Sequence, residues 1–209
     1  DQAFAIAEIT ATRKLTPDDF SRIQGDTVSL HARDLLPRLL AHVQPNTALD
    51  RQAVEMLRAW NDDARGDSAA AAIFEAWFLR LAPSIAGDEL DSLSASYETR
   101  FSGITRFVEA SLDGNPIWCD NTTTATRETC DDVVTTALHA AVEQLSERLG
   151  PEASRWRWDS VHTAVFPHQG LDSVRFLKPL LSRRLPSPGD WSTVNVGPVA
   201  ADAPFEQRS

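Results

Sequence analysis

The segment SAAAAIFEAWFLRLA, residues 68–82, is the most apolar stretch of the chain and decides the fold class. Within it, Phe74, Trp77, Phe78 and Leu81 recur at the spacing of one broad helical face. A helix that is apolar over so much of its circumference has to be surrounded by other elements. The segment therefore predicts a largely buried helix inside a mainly helical protein.

Amphipathic periodicity predicts further helices on both sides of this segment. The predicted helices span residues 3–13, 17–43, 48–60, 68–82, 87–94, 99–112 and 128–149. Thr16 and Pro17 provide the start signal of the second helix, and Gly150 with Pro151 ends the last one. Aromatic and β-branched residues then predict two strands, within 155–168 and 190–199, separated by an irregular Pro-rich stretch at 174–190.

The predicted fold is mainly α, with about six or seven helices followed by a small β element. Residues 1–150 form the helical lobe in this prediction, and residues 151–209 form a mixed segment with two short strands. The two parts are expected to make one structural unit, since the whole chain has 209 residues.

The stretch RIQGDTVSLHARDLLPRLL, residues 22–40, contains many poor helix formers for a segment with helical periodicity. We expect Gly25 to mark a kink or a close backbone approach within one long helix. Gln24, Asp26, Ser29 and His31 are the costly polar positions, and by themselves they suggest a possible active site.

Charge and hydropathy exclude some classes of function. The net charge is −10, which argues against a nucleic-acid or anionic-membrane surface. No uninterrupted apolar run approaches the roughly 20 residues that span a bilayer. We therefore expect neither nucleic acid nor a membrane as a partner.

The two cysteines, Cys119 and Cys130, bracket a short polar segment that contains no histidine. Two cysteines alone make a poor metal site. A disulfide is favoured over two free thiols, and it would close a short loop with roughly 3 kcal/mol of stabilisation. A disulfide in turn indicates an oxidising compartment, either a periplasm or the cell exterior.

Candidates for catalysis and metal binding are weak. Ser160 precedes His162 by two positions without any nucleophile-elbow motif. His162 and His168 lack a clustered third ligand. Trp156 and Trp158 alternate with arginines, a pattern that favours core packing over a stacking platform on so acidic a chain. Paired aspartates at 18–19, 62–63 and 131–132 are expected to compensate helix dipoles and to be solvated.

Four motifs in this order resemble the later part of the β chain of penicillin amidases. They are LTPDDFSRIQGDTVSLHARDLLPRLL (15–40), WCDN with ETC (118–130), WRWDSVHTAVFPH (156–168) and GDWSTVNV (189–196). That family includes penicillin acylases and acyl-homoserine lactone acylases, within the N-terminal nucleophile hydrolase superfamily. One departure is Asp159, where relatives tend to have Gly.

The resemblance implies amide hydrolysis by a serine exposed at a new N-terminus, whose own α-amino group serves as the base. Asp1 has no hydroxyl, and no catalytic, cofactor or metal residue of the family maps onto this chain. We therefore expect a segment excised from an αββα enzyme, inactive alone and without a cofactor, whereas relatives can bind calcium elsewhere. Gln24, Asp26 and Ser29 would then face the enzyme core or the wall of its pocket. If that core is missing from this chain, they should be solvent-exposed or disordered.

Two functions stay open at this point. In the first, the chain is part of a secreted acylase, its partners are the rest of the α and β chains and a small N-acyl substrate, and the isolated segment self-associates. In the second, the chain is a stand-alone helical binding module of acylase-like ancestry. The acyl chain and the leaving group are not determined by either reading.

Overall fold

The computed structural model describes residues 6–7, 10–11, 14–90, 101–166, 168, 170, 181–197 and 206–208. Seven α-helices lie within these residues: α1 (Pro17–Gln24), α2 (Leu30–His42), α3 (Ala48–Arg58), α4 (Ala69–Leu90), α5 (Phe101–Asp113), α6 (Cys130–Leu149) and α7 (Trp158–Val161). Short 3₁₀ turns lie at Pro116–Cys119 and Ala153–Arg155. The prediction of a mainly α fold is confirmed.

Helix α4 forms the centre of the hydrophobic core, as its apolar sequence predicts. Phe74, Trp77 and Leu81 are fully buried. The helix packs along α6 and also contacts α3, α5 and α7. The indole Nε1–H of Trp77 donates a hydrogen bond to the Val134 carbonyl at 3.0 Å, which ties the two longest helices together without an unpaired polar group.

Helix α4 continues through Pro83 to residue 90, so the separate helix predicted to start at residue 87 is part of it. A proline inside a helix loses one backbone hydrogen bond and crowds the preceding turn. The turns around Pro83 nevertheless bury Leu81, Ala82 and Ile85. Burial of these side chains offsets that cost, and local sequence reasoning does not weigh the two effects against each other.

The observed helix starts agree closely with the capping signals in the sequence. Three helices begin with a capping box, in which a threonine and an aspartate three residues later exchange hydrogen bonds with each other's backbone N–H. The pairs are Thr16 with Asp19 for α1, Thr47 with Asp50 for α3, and Thr129 with Asp132 for α6. The predicted start at Thr16 and Pro17 and the predicted end at Gly150 are confirmed.

The prediction of one helix across residues 17–43 is wrong, because the chain leaves the helical conformation between Gly25 and Ser29. Val28 instead forms an antiparallel bridge with Asp63. The Ser29 N–H donates to the Asp62 carbonyl at 2.7 Å. Gly25 is exposed and has no close tertiary neighbour among the described residues, so it ends α1 and does not permit a close approach.

The small sheet contains three strands in the order β2-β1-β3, with β1 at Thr163–Phe166, β2 at Arg183–Pro186 and β3 at Glu206–Arg208. β1 pairs antiparallel with β2 and parallel with β3. The strand prediction for 155–168 holds only for β1. The prediction for 190–199 is wrong over 190–197, which is non-strand, and β2 lies in the stretch predicted as irregular.

Parts of several predictions lie outside the described residues. Among the predicted helices, these parts are most of 3–13, of which 6–7 and 10 are helical, residues 91–94 of 87–94, and residues 99–100 of 99–112. In the later part of the chain they are residue 167 of the first predicted strand, residues 174–180 of the irregular stretch and residues 198–199 of the second predicted strand.

Among the described helices, α4 is long and apolar enough to cross a membrane by length and composition alone, with a mean hydropathy of 1.3. This corrects the expectation that no segment of the chain passes such a test. However, 72% of the apolar window is buried inside the protein, as in the core helix of a globular fold.

Candidate functional site: a buried polar cluster

Three of the motifs that carry the family resemblance meet around one segment, residues 187–197, which we call the C-terminal loop. Its Asn195 N–H donates to the Asp26 carbonyl at 2.8 Å, in the first motif. The Trp158 indole N–H, in the third motif, donates to the Gly189 carbonyl at 2.9 Å. Residues far apart in sequence therefore form one connected hydrogen-bond network.

The C-terminal loop is organised by the carboxylate of Asp190. Its Oδ1 accepts the Ser192 N–H at 2.6 Å, the Ser192 hydroxyl at 2.9 Å and the Thr193 N–H at 3.0 Å. An aspartate that binds the backbone two and three residues ahead forces a tight turn. Asp190, Ser192 and Thr193 are all buried, so this turn is part of the protein interior.

Ser29 and Ser192 connect this turn to the start of α2. Ser29 is the N-cap residue of α2, and its hydroxyl accepts the Ala32 N–H at 3.0 Å. The Ser192 hydroxyl lies 3.3 Å from the Ser29 hydroxyl and accepts the His31 N–H at 3.3 Å. The turn therefore satisfies a helix-terminal N–H group that a buried helix end would otherwise leave unpaired.

Glu75 of α4 faces this turn from the opposite side. It is fully buried among apolar residues of the central helix. Burial raises the pKa of Glu75 well above the ordinary glutamate value, and the nearby Asp190 raises it further through its charge and as an acceptor for a protonated Glu75. The site therefore favours the neutral form of the Glu75 carboxyl group.

His31 completes the polar cluster, which we define as Ser29, His31, Glu75, Asp190 and Ser192. Its ring contacts Phe74, Phe78 and Trp191, with ring centroids 4.3 to 5.3 Å away. Burial lowers the pKa of His31 to about 4, although the Asp190 charge acts to raise it. The imidazole is therefore neutral at physiological pH.

His162 lies on the other side of the C-terminal loop, stacked on Trp158 with ring centroids 4.4 Å apart. Its Nδ1 lies 2.7 Å from the Ser187 carbonyl oxygen, so Nδ1 carries the proton and donates. Burial lowers the pKa of His162 despite this contact. Its interactions are those of a neutral structural histidine.

The weak catalytic candidates do not come together. Ser160 is exposed, whereas His162 is buried and directed to a carbonyl. His168 is exposed. Across the described part of the chain, no group of three or more His, Cys, Asp or Glu side chains is placed to hold a metal ion.

Trp156 and Trp158 belong to the hydrophobic core, and Arg155 and Arg157 are exposed. The core-packing interpretation of this alternation is confirmed, although the tryptophans lie in short helical turns and not in a strand.

The three polar positions expected to face the enzyme core have different environments. Gln24 is exposed, Asp26 is half-buried, and Ser29 is fully buried. The expectation of solvent exposure or disorder is therefore wrong for Ser29, because the C-terminal loop of the same chain covers it. The Asp26 side chain accepts the Val28 N–H at 2.9 Å and supports the local turn.

Cys119 and Cys130 form a disulfide, as predicted. The loop that it closes borders an open groove of about 550 Å³, lined on the other side by α4 residues around Pro83 and Asp88. The Asp88 carboxylate accepts the N–H and the hydroxyl of Thr122 at 2.7 and 2.9 Å. The hydrogen bonds from the loop therefore already engage the Asp88 carboxylate.

Glu75, Asp190 and Ser192 are the members of the cluster that the sequence analysis did not select. The available signal was Glu75, a single acidic residue within the otherwise apolar face of 68–82. A buried carboxyl group requires a partner, and no local pattern identifies which distant residue supplies it.

Almost the entire chain is similar in sequence to one family of hydrolases. A family model described as penicillin amidase matches residues 4–209. The chain belongs to the penicillin amidase family. Within that family, acyl-homoserine lactone acylase QuiP of Pseudomonas aeruginosa is 31% identical over 120 residues.

That match covers 54% of this chain and 14% of the acylase, so the chain spans a small part of the relative's length. Among the described residues of this penicillin amidase chain, the motifs meet in a closed network of side chains and not around an exposed nucleophile. The arrangement can fix backbone segments and hold a buried proton.

Proposed function

We propose that this chain is the later part of the β chain of a penicillin amidase-like acylase, which hydrolyses the amide bonds of N-acyl compounds. The main support is that the first and last family motifs supply four of the five residues of a buried polar cluster that holds the fold. Chemistry is then carried by an N-terminal serine outside this chain. The named relative, an acyl-homoserine lactone acylase, supports an N-acyl amide as the substrate class.

The proposed partner is the remainder of the acylase. Support comes from large apolar side chains that are exposed on and beside the small sheet, at Phe166 (47% exposed), Leu181 (37%) and Leu185 (52%). Phe166 and Ala164 point to the same sheet face, and Ala164 pairs with Leu185 in register. Neighbouring exposed apolar residues of this kind are typical of a surface that another protein segment covers.

We place the acylase in the periplasm or outside the cell. The Cys119–Cys130 disulfide supports this location, since structural disulfides form and persist in oxidising compartments.

An acyl-anilide assay tests the proposed function. The 209-residue chain alone should release no chromogenic product, and the product of the complete gene should release it. Replacing the serine at the start of the β chain with alanine should abolish that release. Ser160→Ala, which changes the exposed hydroxyl next to His162, should leave it intact. Turnover by the chain alone that disappears in Ser160→Ala would refute the proposal.

A further inference from the structure

Two buried carboxyl groups face each other between the central helix and the C-terminal loop. Glu75 is 0% exposed and Asp190 is 1% exposed. Asp190 raises the pKa of Glu75 through its charge, and its carboxylate is placed to accept a hydrogen bond from Glu75 when Glu75 is protonated. A pair of carboxylates in such a place would keep two negative charges in a region of low dielectric constant, which is strongly unfavourable.

The hydrogen-bond pattern is incomplete if both groups are ionised. Both oxygens of Glu75 and Oδ2 of Asp190 are buried with no donor among the described residues. Oδ1 of Asp190, in contrast, receives three donors from Ser192 and Thr193. A proton on Glu75 supplies the missing donor, because a protonated carboxyl group can donate to the free Oδ2 of Asp190.

The neighbouring histidines supply no positive charge that would stabilise a second ionised carboxylate. His31 of α2 and His162 after α7 both interact with the Asp190 charge. Burial lowers both pKa values, His31 to about 4, and so favours the neutral form of both rings. The only charge in the group is therefore the carboxylate of Asp190, which the loop's own donors stabilise.

We infer that Glu75 and Asp190 form a carboxylic acid–carboxylate pair whose single shared proton fastens the C-terminal loop to the central helix. The Glu75 O–H donates to Oδ2 of Asp190, while Oδ1 holds the turn at Ser192 and Thr193. Loss of the proton to solvent leaves two buried carboxylates and no donor between them. The loop then separates from α4, so its attachment is sensitive to alkaline pH.

The direction of the pH dependence follows from proton linkage. The pKa of Glu75 is raised in the folded state, so the folded protein keeps a proton that the unfolded chain releases above pH about 4.3. The contribution of Glu75 to stability is therefore greatest at acidic pH and falls as pH rises toward its folded-state pKa. One proton changes the unfolding equilibrium constant up to about tenfold per pH unit in this window.

Denaturant unfolding from pH about 5 to about 9 tests the pair, with Glu75→Gln as the main variant, since a glutamine amide can donate to Asp190 without ionising. The variant should lose this one-proton contribution to the pH slope and become more stable relative to wild type as pH rises. Glu147→Gln, which changes an exposed glutamate of α6, should keep the wild-type slope. An unchanged slope in Glu75→Gln would overturn the inference.

Two measurements on the wild-type protein keep the test decisive if the variant folds poorly. Infrared spectra at neutral pH should contain the carbonyl band of a protonated carboxylic acid, and its absence would refute the pair.

Hydrogen exchange corrected for intrinsic rates should increase in the peptide 187–197 at alkaline pH before it increases in α6. Simultaneous loss of protection in both would mean that the proton stabilises the fold without fastening this loop. Neither measurement depends on the proposed acylase function.

Discussion

Gly66 lies against the side chain of Asp159 and has no room for a side chain of its own. A Cβ placed on Gly66 would be 2.6 Å from Oδ2 and 2.9 Å from Cβ of Asp159. The Asp159 N–H also donates to the Gly66 carbonyl at 2.9 Å, which fixes the two backbones together. We predict that Gly66→Ala lowers the unfolding free energy by about 1 to 3 kcal/mol through overpacking, measured by urea denaturation.

A second substitution distinguishes this steric cause from a general intolerance of Gly66. Asp159→Gly removes the clashing atoms, so the double variant should recover most of the lost stability. The exposed Arg157–Asp159 ion pair is lost as well, and such pairs contribute little. Equal destabilisation of Gly66→Ala in both backgrounds would show that Asp159 is not the obstacle.

At the residue scale, the sequence predicts which residues are buried more reliably than it predicts their hydrogen-bond partners. Phe74 and Trp77 were correctly assigned to the core, because apolar periodicity reports burial directly. Ser29 was predicted to have lost its partner, yet its partner, Ser192, is 163 positions away in the same chain. Polar pairing over such distances leaves no periodic signal.

At the scale of elements, the disulfide between Cys119 and Cys130 ties the short turn before α6 to the start of that helix. The two cysteines are 11 positions apart, and both are buried. Replacing both with alanine should lower the unfolding free energy by roughly 3 kcal/mol, because the unfolded chain gains the entropy of an open loop. Urea denaturation measures this loss.

A control separates the cross-link from the packing of the two side chains. Reduction of the wild-type protein leaves both sulfur atoms in place and should reproduce most of the loss, with the mass increasing by two hydrogen atoms. If only the alanine variant is destabilised, packing and not loop closure is the cause.

The strands show why element type was harder to predict than helix position. Trp156 and Trp158 suggested an alternating strand, but both indoles insert into the helical core from short turns. Their N–H groups donate to the carbonyls of Gly150 and Gly189, contacts available only once α6 and the C-terminal loop are in place. Tertiary hydrogen bonds therefore override the strand preference of these aromatic residues.

At the scale of the whole molecule, the C-terminal loop holds together parts of the chain that the helices alone do not connect. Gly189 N–H donates to the Ala64 carbonyl at 2.8 Å, before α4, and Ser187 N–H donates to the His162 carbonyl at 3.1 Å, after α7. Asn195 reaches the turn between α1 and α2. The last family motif in the sequence thus binds back to the motifs at 15–40 and 156–168 and closes the fold.

This arrangement predicts that the helical core depends on the last part of the chain. A chain that ends at residue 186 loses Asp190 and Ser192, which leaves Glu75 without its partner and uncovers Trp158 and His162. Its unfolding should become less cooperative, and protection from hydrogen exchange should fall in α2 and α4. A chain that ends at residue 197 keeps these contacts and loses only the residues after that point, including β3, so it should retain protection in both helices. Equal loss in the two truncated chains would assign the stabilisation to the sheet, whereas retention in both would show that the helices fold without the loop.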